Sequence, residues 1–392
     1  MLRRGASVTI RSRVGLSVSF VLVFLFSSAG FPAVTAGASV VATRKVPADY
    51  PTIQMAVNAA SPGDTITVAA GTFTEQVTIA KNLTLTGAGG GSTTIKAPAT
   101  LVAGPIAGQR SIVTVSGGAQ VAISDLTVAG PGTSPCDSSN SLNNGLFVAQ
   151  DATLDLHSAA VIDVHNTPIL SCNHTGTGIK IGLPSFVTGG PTSGHATITN
   201  VLVSNYTNAG IDLLGPATAT IVHNRITDLG QISNPTLGVS LNFGAVATVV
   251  NNVITDNRCD SPDFQTIGCG PDPASQFQSS GIGTTFAGAG TVIANNRLSN
   301  NDIGIYLVFS PNCCRVNSNT LTDNRFFGET IQDGDNSISH DLISGGQVGV
   351  GVIADAVDTT GTLRNVTITG TSVAPTQNIS FSPYTARTVL RP

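Results

Sequence analysis

The chain has 392 residues, 41% of them hydrophobic, 5% aromatic and 10% charged, with 43 Gly, 20 Pro and no Trp. That is enough apolar material for a sizeable core, which excludes a disordered tail. Of the 22 acidic residues 20 are Asp, and only 4 of the 18 basic residues are Lys, so charged helix formers are nearly missing and turn-rich repetitive β-structure remains.

Arg3, Arg4, Arg11 and Arg13 precede an apolar run from Val14 to Phe26, followed by small residues with A-x-A-like cleavage options near Ala36, Ala38 or Ala42. This order reads as a secretory signal peptide over 1–42. The run is short for a membrane span, and no later stretch approaches ~20 uninterrupted apolar residues, so no membrane span is expected once it is removed. Four basic and no acidic residues precede Ala42, which leaves 14 basic against 22 acidic residues and a net charge of −8. That charge argues against nucleic acid as a partner. A secreted or cell-surface monomer is expected.

Residues 43–64 read as an N-terminal cap. Asp49 and Pro51 suit the start of a helix, and Ile53, Ala56, Val57 and Ala60 share one helical face that could cover the open end of a core.

From there to residue 374 the chain repeats. His223-Asn224-Arg225-Ile226-Thr227, Asn251-Asn252-Val253-Ile254-Thr255, Asn295-Asn296-Arg297-Leu298-Ser299, Ser318-Asn319-Thr320-Leu321-Thr322 and His340-Asp341-Leu342-Ile343-Ser344 align on a polar turn residue. In phase with them recur Gly145-Leu146-Phe147-Val148, Gly178-Ile179-Lys180-Ile181, Gly210-Ile211-Asp212-Leu213, Gly238-Val239-Ser240-Leu241, Gly304-Ile305-Tyr306-Leu307 and Gly349-Val350-Gly351-Val352. Three short strands per unit, too short to close a sheet alone, bury their apolar sides only by stacking coil on coil. Asn suits the sharp bend because it tolerates left-handed backbone, and stacked Asn side chains can hydrogen-bond along the column. Residues 375–392 form a polar C-terminal tail that would cap or extend the stack.

The six cysteines read as extracellular disulfides. Cys259 and Cys269 bracket one insert, and Cys136 could tie to Cys172 across neighbouring loops. For the adjacent Cys313 and Cys314, a vicinal bridge, pairing with another loop and free thiols all stay open.

Asp49-Tyr50-Pro51-Thr52-Ile53-Gln54, Ser61-Pro62-Gly63-Asp64, Gly71-Thr72-Phe73-Thr74-Glu75-Gln76-Val77 and Leu83-Thr84-Leu85-Thr86-Gly87 resemble the opening of right-handed parallel β-helix proteins of the pectin-lyase-like superfamily. The resemblance implies an all-β, single-stranded right-handed parallel β-helix with an N-terminal capping helix, and polysaccharide or a cell-surface glycan as partner. The pectin methylesterase reading is disfavoured. Its Arg-Pro-Trp element needs a Trp, and Asp151 and Asp212 would stand two coils apart, about 10 Å by strand spacing. The ordered motifs of polygalacturonases are also missing.

In the Gly-apolar-x-apolar strands the x residue points out of the core. The outward column reads Phe147, Lys180, Asp212, Ser240, Gly283, Tyr306 and Gly351, and a parallel column includes Asn242 and Gln332. Asp212, Lys180 and Asp151 are the candidate catalytic residues, with Phe147, Asn242 and Tyr306 as substrate-binding residues in a groove on this strand face. Cleavage or modification by a lyase, hydrolase or epimerase is one reading, and a non-catalytic adhesion scaffold is the other. No motif marks a metal centre. Calcium stays open as a cofactor, since Asp333-Gly334-Asp335-Asn336-Ser337 looks like half of a calcium loop but has Ile338 where Gly is required. Asp228, Asp256 and Asp323 recur at a turn and read as turn residues.

Overall fold

The computed structural model of the protein describes residues 41–134, 139–167, 169, 175–187, 190–230, 234–259 and 279–392. The expected signal peptide lies outside the described residues up to position 40, and so do Cys136, Cys172 and Cys269. Cys313 and Cys314 sit side by side with their sulfurs in contact.

The described residues wind into a stack of coils whose strands form three sheets, every strand pairing being parallel. The first sheet has 11 strands, from Val77–Ile79 to Ala374–Ser380. The second has 13, from Thr43–Val46 to Ala386–Arg391, and the third has 11, from Gly71–Thr74 to Thr367–Thr369. This is the parallel β-helix that the repeat implied. Residues 375–392 extend it, with Ala374–Ser380 pairing on Val348–Ala354 and Ala386–Arg391 on Thr359–Arg364.

Each coil contributes the same inward side chains at the same register. In the first sheet Leu146, Ile179, Ile211, Val239, Ile282 and Ile305 lie one above another. In the third, Val203, Ile226, Ile254, Leu298, Leu321 and Ile343 do the same. All are buried in one core. The recurrent glycine brings these sheets together. A Cβ on Gly210 would stand 2.7 Å from both Gly238 O and Ile226 Cγ2, so any larger residue would push the first sheet off the third.

One end is closed by the helix Ile53–Ala59, whose Ile53, Ala56 and Val57 are buried against the core, with Ala60 just beyond it. The N-cap is Thr52, whose hydroxyl accepts from Met55 N at 3.1 Å. The Glu75 carboxylate takes the Ile53 and Gln54 amides, each at 2.9 Å, and places negative charge at the positive helix end. Asp49, expected to start the helix, instead accepts the Lys45 amide.

The corner between the second and third sheets separates two roles that the sequence left merged. His223, Asn251, Asn295, Ser318 and His340 take the left-handed bend, with φ between 57° and 60° for all but Asn295 at 55°. The following residues, Asn224, Asn252, Asn296, Asn319 and Asp341, are buried and form the ladder. Asn252 Oδ1 accepts from Asn224 N and Nδ2 at 2.9 and 3.0 Å, while Asn252 Nδ2 donates to Ile221 O at 2.9 Å. The pattern repeats through Asn296 and Asn319 to Asp341. A second buried ladder of Asn257, Asn301 and Asn324 follows the third sheet.

One first-sheet strand departs from the Gly-apolar-x-apolar pattern. Gly328-Glu329-Thr330-Ile331 belongs to the first sheet, and Glu329 occupies the inward row between Ile305 and Val350. A charged residue in an apolar slot breaks the motif, so Thr330 stands between Tyr306 and Gly351, which had been adjacent in the expected column. Burial, reinforced by Asp341, raises the pKa of the Glu329 carboxyl well above its ordinary value, and burial pushes Asp341 up to about 6.

Replacing Asn252 with Ala strands Asn224 N and Ile221 O in the core and should cost about 2–4 kcal/mol in urea denaturation, whereas Asn251→Gly at the neighbouring left-handed position should be near neutral. Raised carboxyl pKa values make the folded state hold protons that the unfolded chain releases. Their stabilisation is present below the unfolded carboxyl range and lost as pH rises through the folded values. Glu329→Gln should therefore match wild type near pH ~4 and become progressively more stable than wild type at neutral and alkaline pH, read as the difference in thermal midpoints across a pH series.

Candidate functional site

Parallel register turns the outward positions of the first sheet into continuous columns. Phe147 pairs with Lys180, Lys180 with Asp212, Asp212 with Ser240, Ser240 with Gly283, Gly283 with Tyr306 and Tyr306 with Thr330. Beside it, Leu214, Asn242, Thr285, Val308 and Gln332 form the second column.

Pointing away from the core does not put these side chains in open solvent. Phe147 is 1% exposed because Ile106 and Leu183, from loops laid over the sheet, pack with it and Ala149. Tyr306 is buried with Ile303, Phe326, Phe327 and Val348, and its hydroxyl donates to Gln332 Oε1. Lys180 and Asp212 are each 6% exposed. An open groove bearing all of these residues is therefore not what the chain builds. Apolar anchors cover both ends of the column, and polar groups remain between them.

Those polar groups converge. Asn242 Nδ2 donates to Ser240 Oγ at 2.5 Å and to Asp212 Oδ1 at 3.4 Å. Lys180 lies on the adjacent coil in register with Asp212. Burial lowers the pKa of the Lys180 ammonium, and the Asp212 carboxylate opposes that shift. Lys180, Asp212, Ser240 and Asn242 thus unite two of the expected catalytic residues and one of the expected binding residues, and Asn242 is the partly exposed member.

Asp151 lies elsewhere. It occupies a left-handed corner (φ 59°) at the start of a second-sheet strand, and its carboxylate accepts the Ser193 hydroxyl. Its coil is two pairings from that of Asp212, as Asn144–Val148 pairs with Thr177–Ile181 and that strand with Ala209–Leu214. The acidic turn residues serve the coil corners. Asp256 and Asp323 have φ of 66° and 51°, while burial pushes Asp228 up to about 7.

The half calcium loop is also a coil corner. Asp333 Oδ1 accepts the Asp355 and Ala356 amides at 2.8 and 2.7 Å, and Asp335 Oδ1 accepts that of Thr360 at 2.6 Å. Among the described residues no three His, Cys, Asp or Glu side chains converge into a metal-binding group. One oxygen each of Asp333 and Asp335 is thus engaged by backbone amides of the next coil.

One feature of this face was missed. Phe243, Phe286 and Phe309 stand five residues after Gly238, Gly281 and Gly304, at the corner where the first sheet ends. Phe286 and Phe309 are stacked at 5.1 Å between centroids with 6° between planes, Phe243 and Phe286 at 6.3 Å with 24°, and Phe186 meets Phe243 edge-on at 5.0 Å. The constant offset was legible in the sequence, but only counted from the recurrent glycine.

The family model described as right handed beta helix region matches residues 190–373. No curated protein matches the chain. Among solved structures it is similar to the Agl-KA catalytic domain, with a TM-score of 0.55, 15% identity, and 86% of this chain and 64% of that one covered. It is also similar to the GH136 lacto-N-biosidase from Eubacterium ramulus, with a TM-score of 0.54, 10% identity and the same coverages of 86% and 64%. An alginate lyase from Paenibacillus sp. str. FPU-7 gives a TM-score of 0.45 and 15% identity, with 88% of this chain and 99% of that one covered. The chain thus spans just under two thirds of the length of the first two. At such identities the likeness is one of fold, and the fold is a right-handed parallel β-helix.

Asp212→Asn leaves the Lys180 ammonium buried without its carboxylate and should cost about 3–5 kcal/mol, while the double variant Lys180→Met, Asp212→Leu should recover most of that loss. Urea denaturation measures each loss, and wild type, Lys180→Met, Asp212→Leu and the double variant close the cycle.

Proposed function

We propose that this right-handed parallel β-helix is a secreted or cell-surface protein that binds a polysaccharide on the outer face of its first sheet, centred on Lys180, Asp212 and Asn242. The observation that carries this reading is the buried cation beside a carboxylate in outward columns whose other side chains are apolar, hydroxyl or amide. Lys180 is the only lysine after Lys96. A buried lysine is costly, and such groups cluster at sites where they act on a ligand. An ammonium recognises a sugar carboxylate, and the Asn242 amide and Asp212 carboxylate recognise hydroxyls. The GH136 lacto-N-biosidase, a carbohydrate-acting protein of similar fold, supports the same class of ligand.

The Lys180 and Asp212 pair also supports proton transfer, because the lowered ammonium pKa makes the neutral amine more accessible as a base. On a uronate polymer, removal of the proton next to the carboxylate with departure of the linked sugar oxygen gives an unsaturated product. Cysteine pairing is proposed to follow export. Cys136 with Cys172 and Cys259 with Cys269 are the expected bridges.

Uronic-acid and neutral polysaccharides should be tested for binding by affinity electrophoresis and for turnover by the ultraviolet absorbance of unsaturated uronates and by reducing-end release. At least one polymer should retard the protein, and Lys180→Met should weaken that binding about tenfold or more. Product formation lost in Lys180→Met and in Asp212→Asn, with folding intact, would make it an enzyme. Failure of every polymer to bind would sink the reading.

A further inference from the structure

We propose that Phe186, Phe243, Phe286 and Phe309 form a stacking strip for a linear carbohydrate chain running along the coil axis beside Asn242 and Asp212. This rests on the polysaccharide reading above and adds the place, direction and chemistry of the contact.

The first observation is where the rings stand. Phe243, Phe286 and Phe309 hold left-handed backbone, with φ of 57°, 54° and 44°. A bulky residue seldom adopts that conformation. The coils on either side fill the same corner with residue types that tolerate it, Gly215 at φ 66° and Asp333 at φ 51°. The equivalence follows from the corner hydrogen bonds, since Gly215 N donates to Asn242 O, Phe243 N to Thr285 O, Phe286 N to Val308 O, Phe309 N to Gln332 O and Asp333 N to Ile353 O. Three consecutive coils therefore keep a phenyl ring where local conformation favours Gly, Asn or Asp, and strain of this kind concentrates at ligand sites.

The second observation is exposure. Phe186 is 70% exposed, Phe286 51% and Phe243 41%, so these three rings are not held there by core packing, while Phe309 is partly buried against the cluster around Tyr306. Together they make a contiguous apolar strip, the kind of surface that marks a binding site.

The strip's geometry selects among ligands. Phe243, Phe286 and Phe309 recur one per coil, with centroids 6.3 and 5.1 Å apart, so a partner that lies along all three must repeat along its own length. A sugar polymer does so, laying the apolar C–H faces of its successive pyranoses along the exposed side of the ring stack and turning its hydroxyls sideways. The hydroxyl partners are adjacent, because Phe243 directly follows Asn242, whose amide donates to Asp212. A peptide strand has no place to add, since the backbone groups of these coils already pair with the coils above and below.

The full chain carrying Phe243→Asn, Phe286→Asn and Phe309→Asn tests this, with polygalacturonate, alginate and hydroxyethylcellulose as probes in affinity electrophoresis. Asn suits these corners, so the thermal midpoint should stay level or rise, while affinity for whichever polymer retards wild type should fall roughly tenfold or more. Calorimetry with oligomers of that polymer should show wild-type affinity growing with chain length and the variant's growing little. Unchanged binding by the triple variant would overturn the strip and leave the Lys180 and Asp212 reading standing. Wild type binding none of the polymers would overturn both. A wild-type dimer by light scattering that the variant loses, with polymer binding unaltered, would also overturn the proposal and assign the strip to self-association.

Discussion

No coil of this protein can satisfy itself. Its inward side chains find apolar partners only in the coils above and below, and its corner amides find hydrogen-bond partners only there as well. Asn296 shows the dependence in one residue, accepting from Asn252 on one side while its own backbone and side-chain N–H groups donate to Asn319 on the other. An orphaned buried amide costs more than a formed hydrogen bond returns, so the ladder enforces register as well as adding stability. At the N-terminal end, where a neighbour is missing, the helix Ile53–Ala59 covers the core and Glu75 satisfies its first amides.

That register makes the outer surface readable as columns. A residue placed at a fixed offset from the recurrent glycine is set above its counterpart in the next coil, whatever the loop between them does. The long excursion between Asn252 and Asn296 leaves the ladder intact. Inserted loops can therefore vary over a fixed lattice, and here they do the work of burial. Ile106 and Leu183 reach over Phe147, whereas Tyr306 is closed in by Phe326 and by the strand residues Ile303, Phe327 and Val348. The polar cluster between is enclosed by the fold, which is what lowers the pKa of Lys180.

Both glutamates of the chain have structural placements. Glu75 caps the helix, and Glu329 sits in the inward row with Asp341 at the end of the Asn ladder. Most of the aspartates whose contacts are described hold corners. Asp212 instead stands mid-strand on the outer face of the first sheet in register with a buried lysine. Placement, and not abundance of acidic residues, distinguishes it.

The sequence by itself determined the coil repeat, its three strands, the capping helix and the membership of the outward column from Phe147 to Tyr306, because periodic burial and turn chemistry are local properties that a linear pattern records. It did not place Glu329 and Thr330 in their columns, since a carboxyl in an apolar row contradicts the local rule, and burial raises the pKa of that carboxyl. The division of labour between Asn251 and Asn252, the covering of Phe147 and Tyr306, and the convergence of Asn242 on Asp212 were decided by tertiary structure. Each depends on which side chain of another coil or loop comes within bonding distance, and a single strand carries no record of that.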